Sequence, residues 1–187
     1  MNDKLVDGCK RKCIKSGRGT PMQAIEILDV RAFMQLLFQT DTFNEYELVS
    51  ADLKTELGYS IDGHINRDFY NEDELENSAL TGHTFLPWSI AKDKIFQMIK
   101  GKKTPSRLKI ILRVSPEHLH SMLTYENSSL NPNDIDGVFL NILFQEQKLN
   151  VICGVSYNIF TLDKGLENAL FDNFVTLLKS NSISIEK

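Results

Sequence analysis

The chain has 187 residues, of which 42% are hydrophobic and 25% are charged, and its formal net charge is −4. This length favours one domain, and the composition is typical of a soluble globular protein rather than a disordered one. No apolar run approaches the roughly 20 residues of a membrane-spanning helix, and the N-terminus lacks the apolar core of a secretory signal, so we expect a cytoplasmic location and no membrane partner.

The net charge conceals three segments of alternating sign. Residues 1–21 carry six bases against two acids, residues 41–79 carry eleven acids against two bases, and residues 92–113 carry eight bases against one acid. The placement of charge is therefore more informative about partners than the net charge is.

The first 21 residues mix Lys, Arg, Gly and Ser without apolar periodicity. This pattern predicts a disordered basic tail or an upstream extension, followed by a single α+β domain over residues 22–187. A basic arm for nucleic acid is the functional alternative. Cys9 and Cys13 could supply half of a zinc site, but no second Cys or His pair stands nearby, so we predict no metal and no cofactor.

The first ordered elements are a strand, a helix and a strand pair. Residues 24–28 have a strand pattern, and Asp29 is suited to cap a helix whose apolar residues recur at helical spacing. Residues 46–66 predict an antiparallel hairpin or meander, in which Asp62-Gly63 is a turn that tolerates positive φ. Residues 71–85 predict a loop.

The second half predicts a helix that starts at Pro87-Trp88 and stops at Gly101. One face of this helix carries Trp88, Ala91, Ile95, Met98 and Ile99. A strand, a short helix capped by Ser115, a hairpin and a final helix follow, over residues 107–114, 115–124, 138–157 and 164–180. The resulting order, β-α-β-β-α-β-α-β-β-α, places antiparallel strand pairs between about four helices. We therefore predict an α+β fold with a mainly antiparallel sheet.

A dense polar group within residues 62–70 is one candidate site. A histidine near two carboxylates can be oriented as a general base, and an adjacent arginine could hold an anion. In an extended chain Asp62 and His64 share one side while Arg67 takes the other, so a purely structural role is the alternative. The candidate residues are Asp62, His64, Arg67 and Asp68.

The basic segment is the second candidate site. Its loop precedes a strand on which cationic and apolar residues alternate, which predicts one apolar and one cationic face. Such a face could attract phosphates or an acidic partner. The alternatives are an ordinary solvated strand face or an internal partner for the acidic segment 41–79. The candidate binding residues are Lys100, Lys102, Lys103, Arg107, Lys109 and Arg113.

No catalytic motif nominates a reaction. Gly101-Lys102-Lys103-Thr104 lacks the preceding glycine of a phosphate-binding loop and follows a helix instead of a strand. His118 and His120 are two residues apart on a helix and cannot chelate one metal, and His83 has no evident ligand beside it.

Four motifs resemble a bacterial domain-of-unknown-function family from anaerobic Gram-positive species. They are Ile61 to Tyr70, Ile99 to Pro105, Ser115-Pro116-Glu117 and Phe160 to Lys164. The resemblance covers residues 22–183 and implies no activity, because the family has none assigned.

The order of elements is also similar to one domain of a DNA sliding clamp. The helix over 115–124 and the hairpin over 137–157 fall where a clamp repeat has its second helix and closing strands. The helix over 86–100, the extra C-terminal helix and the lack of a second repeat depart from that pattern. This is a likeness of fold, and fold does not imply function.

The sequence thus predicts a non-catalytic binding or interaction module of the bacterial cytoplasm, with an unknown protein as its partner. A nucleic-acid-associated protein that uses residues 92–113 is the alternative. An enzyme of unknown chemistry around His64 and Asp68 is the third hypothesis.

Overall fold

The structure is a computed structural model that describes residues 24–71, 73, 80–125, 132–161 and 164–186. Two short 3-10 helices accompany the strands and α-helices, at Arg67–Phe69 and Pro132–Asp134. The described elements are β1 (Ala24–Ile27), α1 (Val30–Gln39), β2 (Tyr46–Lys54), β3 (Gly58–Asp62), β4 (Leu86–Pro87), α2 (Trp88–Ile99), β5 (Arg107–Val114), α3 (Pro116–Tyr125), β6 (Ile135–Gln145), β7 (Lys148–Tyr157), α4 (Gly165–Ser180) and β8 (Ile185–Glu186).

The strands form one antiparallel sheet. Their order across it is β3-β2-β5-β6-β7-β1-β8, and β4 also pairs with β2. This arrangement confirms the predicted α+β class, the mainly antiparallel sheet and the four helices. It adds β4 and β8, which have two residues each and are too short to give a periodic signal in the sequence.

One face of the sheet is buried. On β5, Leu108, Ile110 and Leu112 are fully buried and alternate with half-exposed residues, two of which are Lys109 and Arg113. All four helices contribute buried side chains to the same core as these strand residues. The helices therefore cover one face, and the opposite face, called the open face below, carries the alternate residues of each strand.

Helices α1 and α2 are joined by a buried tryptophan. Trp88 is fully buried, its Nε1 donates a hydrogen bond of 3.0 Å to the Leu37 carbonyl, and its ring centroid lies 5.5 Å from that of Phe38. Met98, which the sequence pattern places on the apolar face of this helix, stands at the margin of the buried stripe in the last turn of α2 and is 40% exposed. Met98 is therefore available at the surface.

The turn between β6 and β7 has a left-handed backbone without glycine. Gln145 pairs with Lys148, so the turn contains only Glu146 and Gln147, with φ of 54° and 63°. Two central residues with positive φ match the right-handed twist of a hairpin. A side chain in that conformation costs roughly 1 kcal/mol, which the rest of the hairpin offsets.

We predict that Gln147→Gly raises the free energy of unfolding by about 0.5–1 kcal/mol, because glycine adopts positive φ without the clash. The midpoint of thermal unfolding should rise by about 2–4 °C for each kcal/mol gained in the free energy of unfolding. The control is Gln145→Gly, in the adjacent strand, which should lower the midpoint. A lower midpoint for Gln147→Gly would contradict this account of the turn.

Candidate functional site

The sheet has two ends with different chemistry. At one end Lys54, Arg107, Gln145 and Lys148 lie in register across four strands, and this is called the loop end below. At the other, the far end, Glu47 lies opposite Arg113. Six residue steps of about 3.3 Å separate Arg107 from Arg113, so the two ends are about 20 Å apart.

The predicted cationic residues do not share one surface. Lys100, Lys102 and Lys103 are exposed in the segment after α2, at the loop end. Lys109 lies in the middle of the open face, and Arg113 belongs to the far end. The alternation of apolar and cationic residues along β5 was predicted correctly. The cations of this strand are nevertheless spread from the loop end to the far end of the sheet, so they do not form one cluster.

Two of the three cations on β5 face acids across the sheet, and the third, Arg107, lies opposite Lys54. Lys109 lies opposite Asp52, and Arg113 lies opposite Glu47. Arg113 also donates a hydrogen bond of 2.8 Å to the Asp136 carbonyl. The acidic segment thus lies beside the basic strand, as the internal-partner alternative expected, and it offsets the positive field on the open face.

Lys92, at the start of the basic segment, is also bound within the fold. Its Nζ lies 3.0 Å from Asp41 Oδ1 and 2.9 Å from the Thr40 carbonyl. The hydrogen bond from Lys92, followed by one from Asn44, holds the pKa of Asp41 below its ordinary value. This cation therefore has its partner inside the chain.

The three loop lysines differ from Lys92, which pairs with Asp41. None of them takes part in the ion pairs that the described residues form. They line two grooves, one on each side of residues 100–106, which are called the lysine loop below. The loop end therefore carries cations that need not break an internal pair to meet a partner.

The two grooves have apolar walls. The first, of about 900 Å³, is walled by Leu57, Tyr59, Met98 and Ile99, with Glu56 as its acid. The second, of about 1130 Å³, has Arg31 as a fourth cation and Glu146 as its acid. Its apolar wall comprises Val30, Met34, Phe96, Ile99, Pro105 and Phe144.

The polar group predicted at residues 62–70 is partly assembled. His64 Nδ1 lies 2.6 Å from Asp62 Oδ1, and the same oxygen accepts the His64 backbone N–H at 3.0 Å. The backbone bond first, and the ring contact second, hold the pKa of Asp62 below its ordinary value. Asp68 is exposed in the 3-10 helix and is not a partner of His64 in any described contact, so the predicted second carboxylate is missing from this pair.

A second histidine–carboxylate pair lies beside the first and was missed. His83 Nδ1 is 2.6 Å from Glu47 Oε1, and Glu47 is 1% exposed. Glu47 Oε2 is buried and has no hydrogen-bond partner among the described residues. Arg67 donates to the His83 carbonyl at 3.4 Å, which places the predicted arginine next to this pair.

Phe85 connects the two pairs to the basic strand. Its ring centroid lies 4.4 Å from that of His64, and the Arg113 guanidinium carbon lies 5.8 Å from the same ring. The isolated bridge between His64 and Phe85 fixes this stack on the backbone. The far end is therefore a packed cluster of aromatic, histidine and arginine side chains.

Gly63 lets the chain that carries this cluster lie directly against the backbone of β2. Its N–H donates to the Val49 carbonyl at 3.0 Å, and a Cβ at this position would lie 1.7 Å from the Leu48 carbonyl oxygen. Gly63 does not have positive φ, so the predicted Asp62-Gly63 turn was wrong. The predicted hairpin is present, with its turn at residues 55–57.

No group of three or more His, Cys, Asp or Glu in the described ranges could hold a metal ion. Cys9 and Cys13 lie outside those ranges. Burial raises the pKa of the Cys153 thiol to about 12, which leaves it an unreactive thiol. Of the helices described, none is long and apolar enough to cross a membrane.

Comparison with known proteins agrees with the resemblance seen in the motifs. Residues 35–186 match the model of a family of unknown function, DUF5721. All four motifs fall inside this range, which confirms the prediction of a domain-of-unknown-function family. No curated protein and no solved structure shows a significant match, so the likeness to a sliding-clamp domain gains no support.

We predict that His83→Leu lowers the free energy of unfolding by about 3–5 kcal/mol, because it leaves the buried Glu47 carboxylate without its partner. Glu47→Leu/His83→Leu should recover most of that loss, since both polar groups are then gone. Urea unfolding at neutral pH measures both. Equal stabilities for the single and double variants would show that the pair is not the source of the effect.

Proposed function

The chain belongs to the DUF5721 family, whose description assigns no activity, and we propose that it is a non-catalytic binding module for an acidic, partly apolar segment of another protein. The site is the loop end of the sheet. The observation that carries the proposal is the position of three lysines outside the described ion pairs, between two grooves with apolar walls.

Charge favours an acidic partner. Three lysines stand against one glutamate in the first groove, and four cations stand against one glutamate in the second. The whole chain has a net charge of −4, so this excess is local. A local field of this sign steers an anionic segment to the loop end and raises its rate of association.

The groove walls favour a partner that also has apolar side chains. Leu57 is 64% exposed and Met98 is 40% exposed, and both line the first groove. Large apolar side chains exposed next to each other are typical of binding surfaces. Methionine adapts its shape to different partners, which suits a groove that holds an extended peptide.

Nucleic acid is the less favoured partner. Two cations of β5, Lys109 and Arg113, lie opposite acids, and Arg113 is about 20 Å from the loop end. A duplex or a single strand would need cations that continue along its backbone. The lysine loop instead offers a short cationic segment between apolar walls.

The enzyme hypothesis also has less support. Asp62 orients His64, but both side chains are largely exposed, at 76% and 59%. His64 lies outside both grooves, and Asp68 is not among its described partners. A general base normally works in a site that excludes water, which this exposed pair does not provide.

The test uses fluorescence anisotropy with a labelled 12-residue peptide of Asp, Glu and Leu. The full chain should bind this peptide. Binding should weaken as the salt concentration is raised from about 50 to about 200 mM, because salt screens the attraction between the lysines and the acidic side chains. Lys102→Glu/Lys103→Glu should weaken binding about tenfold or more, because it reverses two charges beside the peptide.

The matched control is Lys94→Glu/Lys179→Glu. Both lysines are exposed and lie outside the grooves, and this variant has the same net charge as the loop variant. The control should bind like the natural chain. Equal weakening by both variants, or equal binding of a peptide of Asn, Gln and Leu, would contradict a specific acidic partner. Binding of a 20-nucleotide single-stranded DNA in place of the peptide would transfer the site to nucleic acid.

A further inference from the structure

A third cavity lies at the far end, on the helix-covered side of the sheet. It is bounded by the residues before and at the start of β2, by α3 and by α4, and its volume is about 410 Å³. Pockets for small organic molecules have volumes of roughly 300–1,000 Å³. The lining residues are Thr42, Glu45, Tyr46, His118, Ser121, Met122, Leu170, Asn173, Phe174 and Leu177.

The inner wall of the cavity is apolar and well supported. Leu170 and Phe174 are 2% and 4% exposed, so α4 presents them from the core. Met122 and Leu177 are half-buried and pack against the same core. The wall can therefore cover the hydrocarbon part of a ligand without first rearranging.

The cavity has one carboxylate in its lining, which lies beside a histidine. Glu45 is the only Asp, Glu, Lys or Arg among the lining residues. Its Oε2 lies 2.9 Å from His118 Nδ1, and its side chain is 63% exposed. An anionic ligand would be repelled by Glu45 and would find no lysine or arginine in the lining, whereas a cation would find a carboxylate at the boundary of an apolar wall.

Two aromatic residues add to the preference for a cation. Tyr46 and Phe174 both line the cavity, and aromatic faces attract ammonium groups. The Tyr46 hydroxyl forms none of the hydrogen bonds described for this part of the chain. Burial above all raises the pKa of Tyr46, so the hydroxyl is neutral and its oxygen can accept a hydrogen bond from an ammonium group.

We propose that this cavity binds a small apolar cation, namely an alkyl- or arylammonium compound, with its hydrocarbon part against Leu170 and Phe174 and its ammonium group at Glu45. This site is separate from the lysine loop, and the ligand has the opposite charge. The chain would then combine a peptide-binding end with a small-molecule site at the other end of the sheet.

The methionines allow each site to be observed separately. Of the 5 methionines in the chain, Met122 lines the cavity, while Met98 and Met34 line the first and second grooves at the loop end. The full chain, labelled with ¹³C at the methionine methyl groups, is titrated by NMR with 2-phenylethylammonium, 2-phenylethanol and 3-phenylpropanoate. Single Met→Leu variants assign the signals.

The ammonium compound should shift the Met122 signal and leave those of Met34 and Met98 in place. 2-Phenylethanol should bind more weakly, and 3-phenylpropanoate should give no shift of Met122. Glu45→Gln should weaken binding of the ammonium compound about three- to fivefold, the effect of one exposed charge pair, and should leave 2-phenylethanol unchanged.

The proposal is overturned if 3-phenylpropanoate binds as tightly as the ammonium compound, if Glu45→Gln leaves both affinities unchanged, or if no compound shifts Met122. Failure here is distinct from failure of the proposed function. An acidic peptide at the lysine loop should shift Met98 and Met34, whatever happens at Met122.

Discussion

The rest of this structure depends on the burial of only one face of its antiparallel sheet. Leu108, Ile110 and Leu112 pack toward the helices, so the alternate residues of β5 must lie on the open face. Those residues include cations, and the neighbouring β2 places Asp52 and Glu47 opposite two of them. One-sided burial thus determines both where charge is tolerated and which charges are offset within the fold.

The burial of one sheet face also separates the charges on the strands from the charges on the lysine loop. On β5, Lys109 and Arg113 face acids of β2, whereas the lysines that follow α2 extend beyond the sheet and remain available. Trp88 contributes to this arrangement, because its hydrogen bond to the Leu37 carbonyl holds the start of α2 against α1. At the far end, three histidines are each paired with a carboxylate: His64 with Asp62, His83 with Glu47, and His118 with Glu45.

Periodicity was sufficient to predict the long elements, because a half-buried strand and an amphipathic helix each repeat their apolar residues at a fixed spacing. Asp29 caps α1 and Ser115 accepts the His118 backbone N–H, as their residue types predicted. The Glu47–His83 pair could not be predicted, since 36 residues separate its members and only the path of the chain to β4 brings them together. The dispersal of the basic segment likewise follows from strand length and register, which composition does not contain. Gly63 was interpreted as a turn residue because the sequence shows that a glycine is present but not why. The reason is the Leu48 carbonyl, which lies too close to Gly63 for a side chain and which only the fold reveals.

The central claim is that the lysine loop binds an acidic segment through three exposed lysines outside the described ion pairs, and lysine acetylation measured by mass spectrometry tests it most directly. The free chain should react quickly at Lys100, Lys102 and Lys103 and slowly at Lys92, which is bound to Asp41 and Thr40. The acidic peptide should protect the three loop lysines together and leave Lys94 and Lys179 unchanged. Uniform protection of all lysines, or none at the loop, would contradict the account.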